Sequence, residues 1–280
     1  MRTTSIAVLA LAALSALAFT ASAMDLAIQG PVNGTLHQGG SIYLGKLGPG
    51  ESFYILASAS TPNATGSYIN IGWDTLQALN LPSGWSAQPS PLYENPMKLK
   101  ITASPYAQNG IYNLTIRAVN VQNYSRLGNL TVHAYVNVTQ NVFRLDVSPT
   151  SISTGVDQPS DLHITINNTG ISGDPFLVNA YGLPAWNVSR EAVSGPSSVS
   201  TLDYPVYVDE PGQYVFNLTV TSATSPLITQ SHRITLDVQA SVLNDYYATG
   251  HGVVLSPIIV EPAYGLMLLL SDAYNYLTRH

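Results

Sequence analysis

One spacing constrains this chain more than any other feature: the sequence resembles itself when displaced by 102 residues. The displacement lays Leu81-Pro82 on Leu183-Pro184, each followed shortly by a tryptophan, Trp85 and Trp186. It also lays Gly110-Ile111-Tyr112 on Gly212-Gln213-Tyr214. Beyond these motifs, Tyr112, Leu114, Ile116 and Ala118 fall on Tyr214, Phe216, Leu218 and Val220. Val132, Ala134, Val136 and Val138 likewise fall on Ile234, Leu236, Val238 and Ala240. The register slips by one residue at the tryptophan. It slips by three at the preceding strand, where Met97, Leu99, Ile101 and Ala103 oppose Leu202, Tyr204, Val206 and Val208. Slips of this kind come from differences in loop length between copies of one unit. A repeat of about 100 residues is the size of an independent domain rather than of a solenoid turn.

The matched residues alternate at every second position. That is the period of a strand with one buried and one wet face. Further alternating runs occur at Leu26 and Ile28, at Phe53, Ile55 and Ala57, and at Phe143, Leu145 and Val147. Two more are Leu162, Ile164 and Ile166, then Phe176, Val178 and Ala180. Gly, Pro, Asn and Ser separate them, as turns require. The expectation is an all-β chain of two tandem Ig-like antiparallel β-sandwiches, over 24–140 and 141–241. Gly-x-Tyr at the entry to a long strand is read either as a tyrosine at a sheet corner or as an ordinary core aromatic.

The Leu-Pro…Trp element, the later Pro/Gly turn, Gly-x-Tyr and the alternating strand together resemble Ig-like modules of prokaryotic envelope proteins. These include the NPCBM-associated modules beside some glycosidases and the CARDB-like repeats of archaeal S-layer-related proteins. The resemblance spans both copies and implies sandwiches of about seven or eight strands each. It also implies an extracellular adhesive, spacer or assembly role, and it carries over no catalytic residue.

The two ends differ from the repeat. Residues 1–23 have Arg2 in a short n-region, an apolar stretch from Ile6 to Phe19, and Ala21-Ser22-Ala23 before the expected cleavage. This is the pattern of a secretory signal peptide, too short for a spanning helix. The expected location is therefore extracellular or in the cell envelope. Residues 242–280 form an apolar tail, read as an extended segment at Val253–Val260 and then a helix from about Pro262. Its leucines would pack on the second module, on a partner subunit, or on a membrane through 253–279.

Charged residues make up only 9% of the chain, against roughly 25% in an average domain. Removing Arg2 leaves 9 Lys+Arg against 16 Asp+Glu, a net charge of −7. So acidic a balance, with scattered bases, excludes a nucleic-acid surface. Cysteine is absent, which excludes thiol catalysis and thiolate metal centres. None of the six histidines has metal-site spacing, and no nucleophile elbow or nucleotide fingerprint occurs. No enzyme activity and no cofactor are expected. Asp157/Asp161 and Asp209/Glu210 carry the hard oxygen ligands that calcium uses, but they also read as solvated loop acids.

Asn-x-Ser/Thr is the informative short motif. It occurs at Asn33, Asn63, Asn113, Asn123, Asn129, Asn137, Asn167, Asn187 and Asn217, nine times, where composition alone gives roughly three or four. Asn113 and Asn217 alternate with core positions, so both should face solvent, as an N-glycan requires. Trp85 and Trp186 are read as anchors covering one end of each sandwich; exposed, they would instead stack on sugars. The expected function is a structural or adhesive surface subunit of a filament or S-layer-associated assembly, through self-association or other envelope proteins. Strand exchange would employ Val253–Val260 or Leu26–Ile28 as donor. A secreted carbohydrate-binding or accessory module is the alternative, and an exported enzyme with a dispersed site is a third.

Overall fold

A computed structural model of the chain describes residues 25–62, 68–69, 73–121, 128–184, 186 and 188–240. The expected signal peptide and apolar tail lie outside the described residues. So does the proposed donor segment at 253–260.

Valine, isoleucine and tyrosine at every second position make strands whose inner residues are almost wholly removed from water. The first sandwich comprises β1 (Asp25–Gly30), β2 (Gly34–Leu36), β3 (Ser41–Leu47), β4 (Ser52–Pro62) and β5 (Tyr68–Ile69). It continues with β6 (Thr75–Leu79), β7 (Ser86–Gln88), β8 (Met97–Thr102), β9 (Gly110–Val119) and β10 (Leu130–Val138). One sheet runs β2-β1-β4-β8-β7, with β5 on β4, and the other runs β3-β10-β9-β6.

The second sandwich has β11 (Phe143–Ser148), β12 (Ser151–Gly155), β13 (Ser160–Asn168) and β14 (Asp174–Tyr181). β15 (Ser189–Ser194), β16 (Val199–Val206), β17 (Gly212–Ser222) and β18 (Thr229–Gln239) complete it. Its sheets run β11-β13-β16 and β12-β18-β17-β14-β15. Each sandwich closes over its own apolar core. Leu26, Phe53, Leu99, Leu114 and Val136 belong to the first; Ile164, Phe176, Tyr204, Phe216 and Leu236 belong to the second. The alternating residues named from the sequence occupy these cores or pack against them, except Ala240, which is exposed just beyond β18.

The two copies share a device that alternation does not announce. Early in each copy the chain crosses to the opposite sheet and pairs in parallel with the last strand: β3, after the β1–β2 hairpin, on β10, and β12, directly after β11, on β18. All other strand pairs are antiparallel. The copies differ in the extra strands β2 and β5 of the first copy and in where the strand after the tryptophan pairs. The strand after Trp85, β7, pairs with β8 in the first sheet, whereas the strand after Trp186, β15, pairs with β14 in the second. In the second copy, β16 is therefore left at a sheet edge.

Leu26–Ile28 does not suit the donor role considered for it. β1 is hydrogen-bonded on both sides, to β2 and to β4, within its own sheet. An edge already filled by the chain's own strands has no free ladder groups to offer a neighbour.

Candidate functional site

Gly-x-Tyr proves to be a sheet-corner tyrosine in both copies. The Tyr112 hydroxyl donates to the Gln108 carbonyl at 3.0 Å, and Tyr214 donates to the Glu210 carbonyl at 3.0 Å. Each bond spans four residues back across the loop and pins the entry of the long strand. The glycine ahead of each tyrosine has φ near +157°.

The tryptophans are committed to packing. Trp85 is 8% exposed and lies 5.2 Å, centroid to centroid, from the Tyr112 ring. Half-buried Trp186 meets Tyr207 edge-on at 4.7 Å. Its indole N–H donates to the Tyr204 hydroxyl at 3.2 Å, which in turn donates to the Val188 carbonyl. Sugar stacking needs a free ring face, and Trp85 does not present one. Both indoles sit as the anchoring reading expects.

Among the described residues, no three acids or histidines cluster so as to hold a metal ion. Burial, and secondarily the charge of Asp209, raises the Asp157 carboxyl. Asp161 lies apart on β13, opposite Pro205. His37 is bonded to Asp25, and exposed His163 to Asp203 at 2.8 Å. His232 Nε2 lies 3.1 Å from the Leu145 carbonyl. A cleft of about 280 Å³ is lined by Tyr106, Ala107, Gln108, Asn109, Gln140 and Leu227, where the two copies meet. It gathers no titratable group apart from the Tyr106 phenol.

The sequons define the surface best. Asn33, Asn113, Asn129 and Asn217 are exposed, and Asn137 and Asn167 are partly so. Asn63, Asn123 and Asn187 lie outside the described residues. Asn113 and Asn137 share the outer face of the β3-β10-β9-β6 sheet. Asn217 stands on the outer face of β17 and Asn167 on that of β13. Strand geometry alone produces this outcome, because inward neighbours such as Leu114 and Phe216 force the intervening residue outward.

The junction between the copies holds groups that no motif or periodicity singles out. Ile171 of the second copy packs into the first core, and its N–H donates to the Lys46 carbonyl at 2.9 Å. The Ser172 hydroxyl donates to the Ser52 carbonyl at 2.8 Å. Gly48 turns so closely beneath Ile228 that an ideal Cβ would lie 2.2 Å from Ile228 Cδ1. Beside it, Glu51 is 1% exposed and accepts a hydrogen bond from the Gly48 N–H at 2.6 Å. Burial lifts the Glu51 carboxyl from 4.5 to about 7; the Gly48 bond opposes this and the Asp174 charge adds to it. Asp174, equally buried, is also raised by burial. Its Oδ1 accepts from the Thr224 hydroxyl at 3.1 Å. Two acids buried at one contact cost free energy to ionise together.

No protein-family model matches the sequence, and no curated relative matches it. Among solved structures, the chain is similar to the fibronectin(III)-like modules of Clostridium thermocellum CbhA. The identity is 12%, the alignment covers 76% of this chain and 94% of that one, and the TM-score is 0.27. A chimeric titin Z1Z2 aligns at 12% identity over 78% and 99% of the two chains, with a TM-score of 0.35. The Yersinia pseudotuberculosis adhesin InvE aligns at 10% identity over 68% and 56%, with a TM-score of 0.27. These likenesses concern architecture only, and the two Ig-like sandwiches are established here by strand order and register.

Proposed function

We propose that this chain is a non-catalytic, exported cell-surface protein, a structural or adhesive subunit whose sheet faces carry N-glycans. The observation that carries the reading is the outward placement of every sequon asparagine among the described residues, on a chain with very few charges. Glycans supply the solubility that charged side chains supply elsewhere. Self-association or binding to other envelope proteins fits a subunit of a filament or S-layer-associated array. The packed tryptophans give less support to the carbohydrate-binding alternative.

Antibody labelling of the native cell envelope, combined with glycopeptide mass spectrometry, tests this reading. Ordered labelling of a filament or lattice with occupied sequons is the expected result. Diffuse labelling of soluble protein with unoccupied sequons would overturn it.

A further inference from the structure

Each sequon asparagine that lies within a described strand faces a large apolar side chain across one of its ladders, while Asn137, Asn167 and Asn217 face Lys46, Arg144 and Arg233 across the other. Asn113 on β9 is in register with Tyr135 on β10, which is in register with the exposed Tyr43 on β3. Asn137 opposes Ile111, which is 72% exposed. Asn167 opposes Val199, 61% exposed, and Asn217 opposes Tyr181, 59% exposed. Residues paired in this way have Cβ atoms about 4.5–5.5 Å apart on one face of the sheet. Asn179 is the informative contrast. It also stands on an outward strand position but belongs to no sequon, and its partners are the polar Thr219 and Ser189.

We propose that the first sugars of the strand-borne N-glycans lie on these cross-strand side chains, with Asn217 over Tyr181 and Asn113 over Tyr135 and Tyr43 as the aromatic seats. This rests on the glycosylation reading above. The modification forms a bond from Asn Nδ2 to the anomeric carbon of a diphosphate-linked oligosaccharide donor. The anomeric C–O bond to the diphosphate breaks, and the amide proton passes to a base of the transferase, with no change of oxidation state. The installed pyranose has an apolar C–H face and a polar rim. Set down on a phenol ring, it removes apolar surface from water on both partners while its hydroxyls stay wet. Tyrosines exposed on a sheet face would otherwise be an adhesive liability. An oligosaccharide seated on them converts that face to a hydrated one.

The test uses protein secreted by its source organism as wild type, Tyr181→Ser, Asn217→Gln and the double variant. Glycopeptide mass spectrometry first reads Asn217 occupancy. Thermal unfolding then compares the cost of Tyr181→Ser with and without the glycan. The expected result is an occupied Asn217 and a Tm loss from Tyr181→Ser that is larger by roughly 2–4 °C when the glycan is present. Sugar protons shifted upfield by the ring in the wild type should also return to their free positions in Tyr181→Ser and persist in Tyr181→Phe. An unoccupied Asn217 would overturn the inference together with the glycosylation reading at that site. An occupied Asn217 with equal Tm losses and no ring-shifted sugar protons would overturn the seat alone.

Discussion

Glu51 makes the junction sensitive to pH in a calculable direction. In the folded chain its carboxyl holds a proton up to about pH 7, whereas the exposed group in an unfolded chain releases it near 4.5. Between those values the folded state binds more protons, so stability falls as pH rises. The contribution is fully present below pH 4.5, is lost through the window to pH 7, and is flat above it. At about 1.4 kcal/mol per pKa unit, the loss is on the order of 3 kcal/mol. Glu51→Gln has the shape of the neutral acid and keeps an acceptor for the Gly48 N–H. The variant should therefore match wild type at pH 4.5 and exceed it by up to about 3 kcal/mol at pH 8. Urea unfolding followed by tryptophan fluorescence measures this, with Trp73 and Trp85 reporting the first sandwich and Trp186 the second. Asp174 is shifted in the same direction, so the decisive quantity is the difference between variant and wild type at each pH. A difference that stays constant from pH 4.5 to 8 would refute the assignment of the slope to Glu51.

Other expectations follow from the same geometry. Tyr112→Phe and Tyr214→Phe each delete one corner hydrogen bond, and each should lower unfolding free energy by about 0.5–1.5 kcal/mol in urea titrations. Gly48→Ala places a methyl group against Ile228, so it should cost about 1–3 kcal/mol and speed proteolytic cleavage between the copies. Trp85→Ala should cost about 3–5 kcal/mol, the range for emptying a large buried site. Trp186→Ala should cost less, and glycan-array binding should be unchanged in either variant. Occupancy measured on glycopeptides should be higher at the exposed Asn33, Asn113, Asn129 and Asn217 than at the partly covered Asn137 and Asn167.

Much of the fold is legible without coordinates because a strand's two faces are fixed by local geometry. Leu114, Ile116 and Ala118 must share a side, and so must Phe216, Leu218 and Val220. Burying them sends Asn113 and Asn217 to the solvent. The repeat spacing then shows that two copies of one sandwich follow one another. Short pieces such as β2 and β7 escape this reading because three residues are too few to display a period.

The sequence by itself therefore determined the strand class, the core positions and the outward sequons, since each depends only on neighbours along the chain. Tertiary structure alone decided which strands lie side by side. That includes the parallel pairs β3–β10 and β12–β18, the different sheets chosen by β7 and β15, and the tyrosines set opposite Asn113 and Asn217. It also buried Glu51 and Asp174, distant in sequence, near enough for the charge of Asp174 to raise the Glu51 carboxyl. Alternation specifies a face but not a neighbour: pairing is chosen by the packing of the whole sandwich and by loop lengths, which no local pattern encodes.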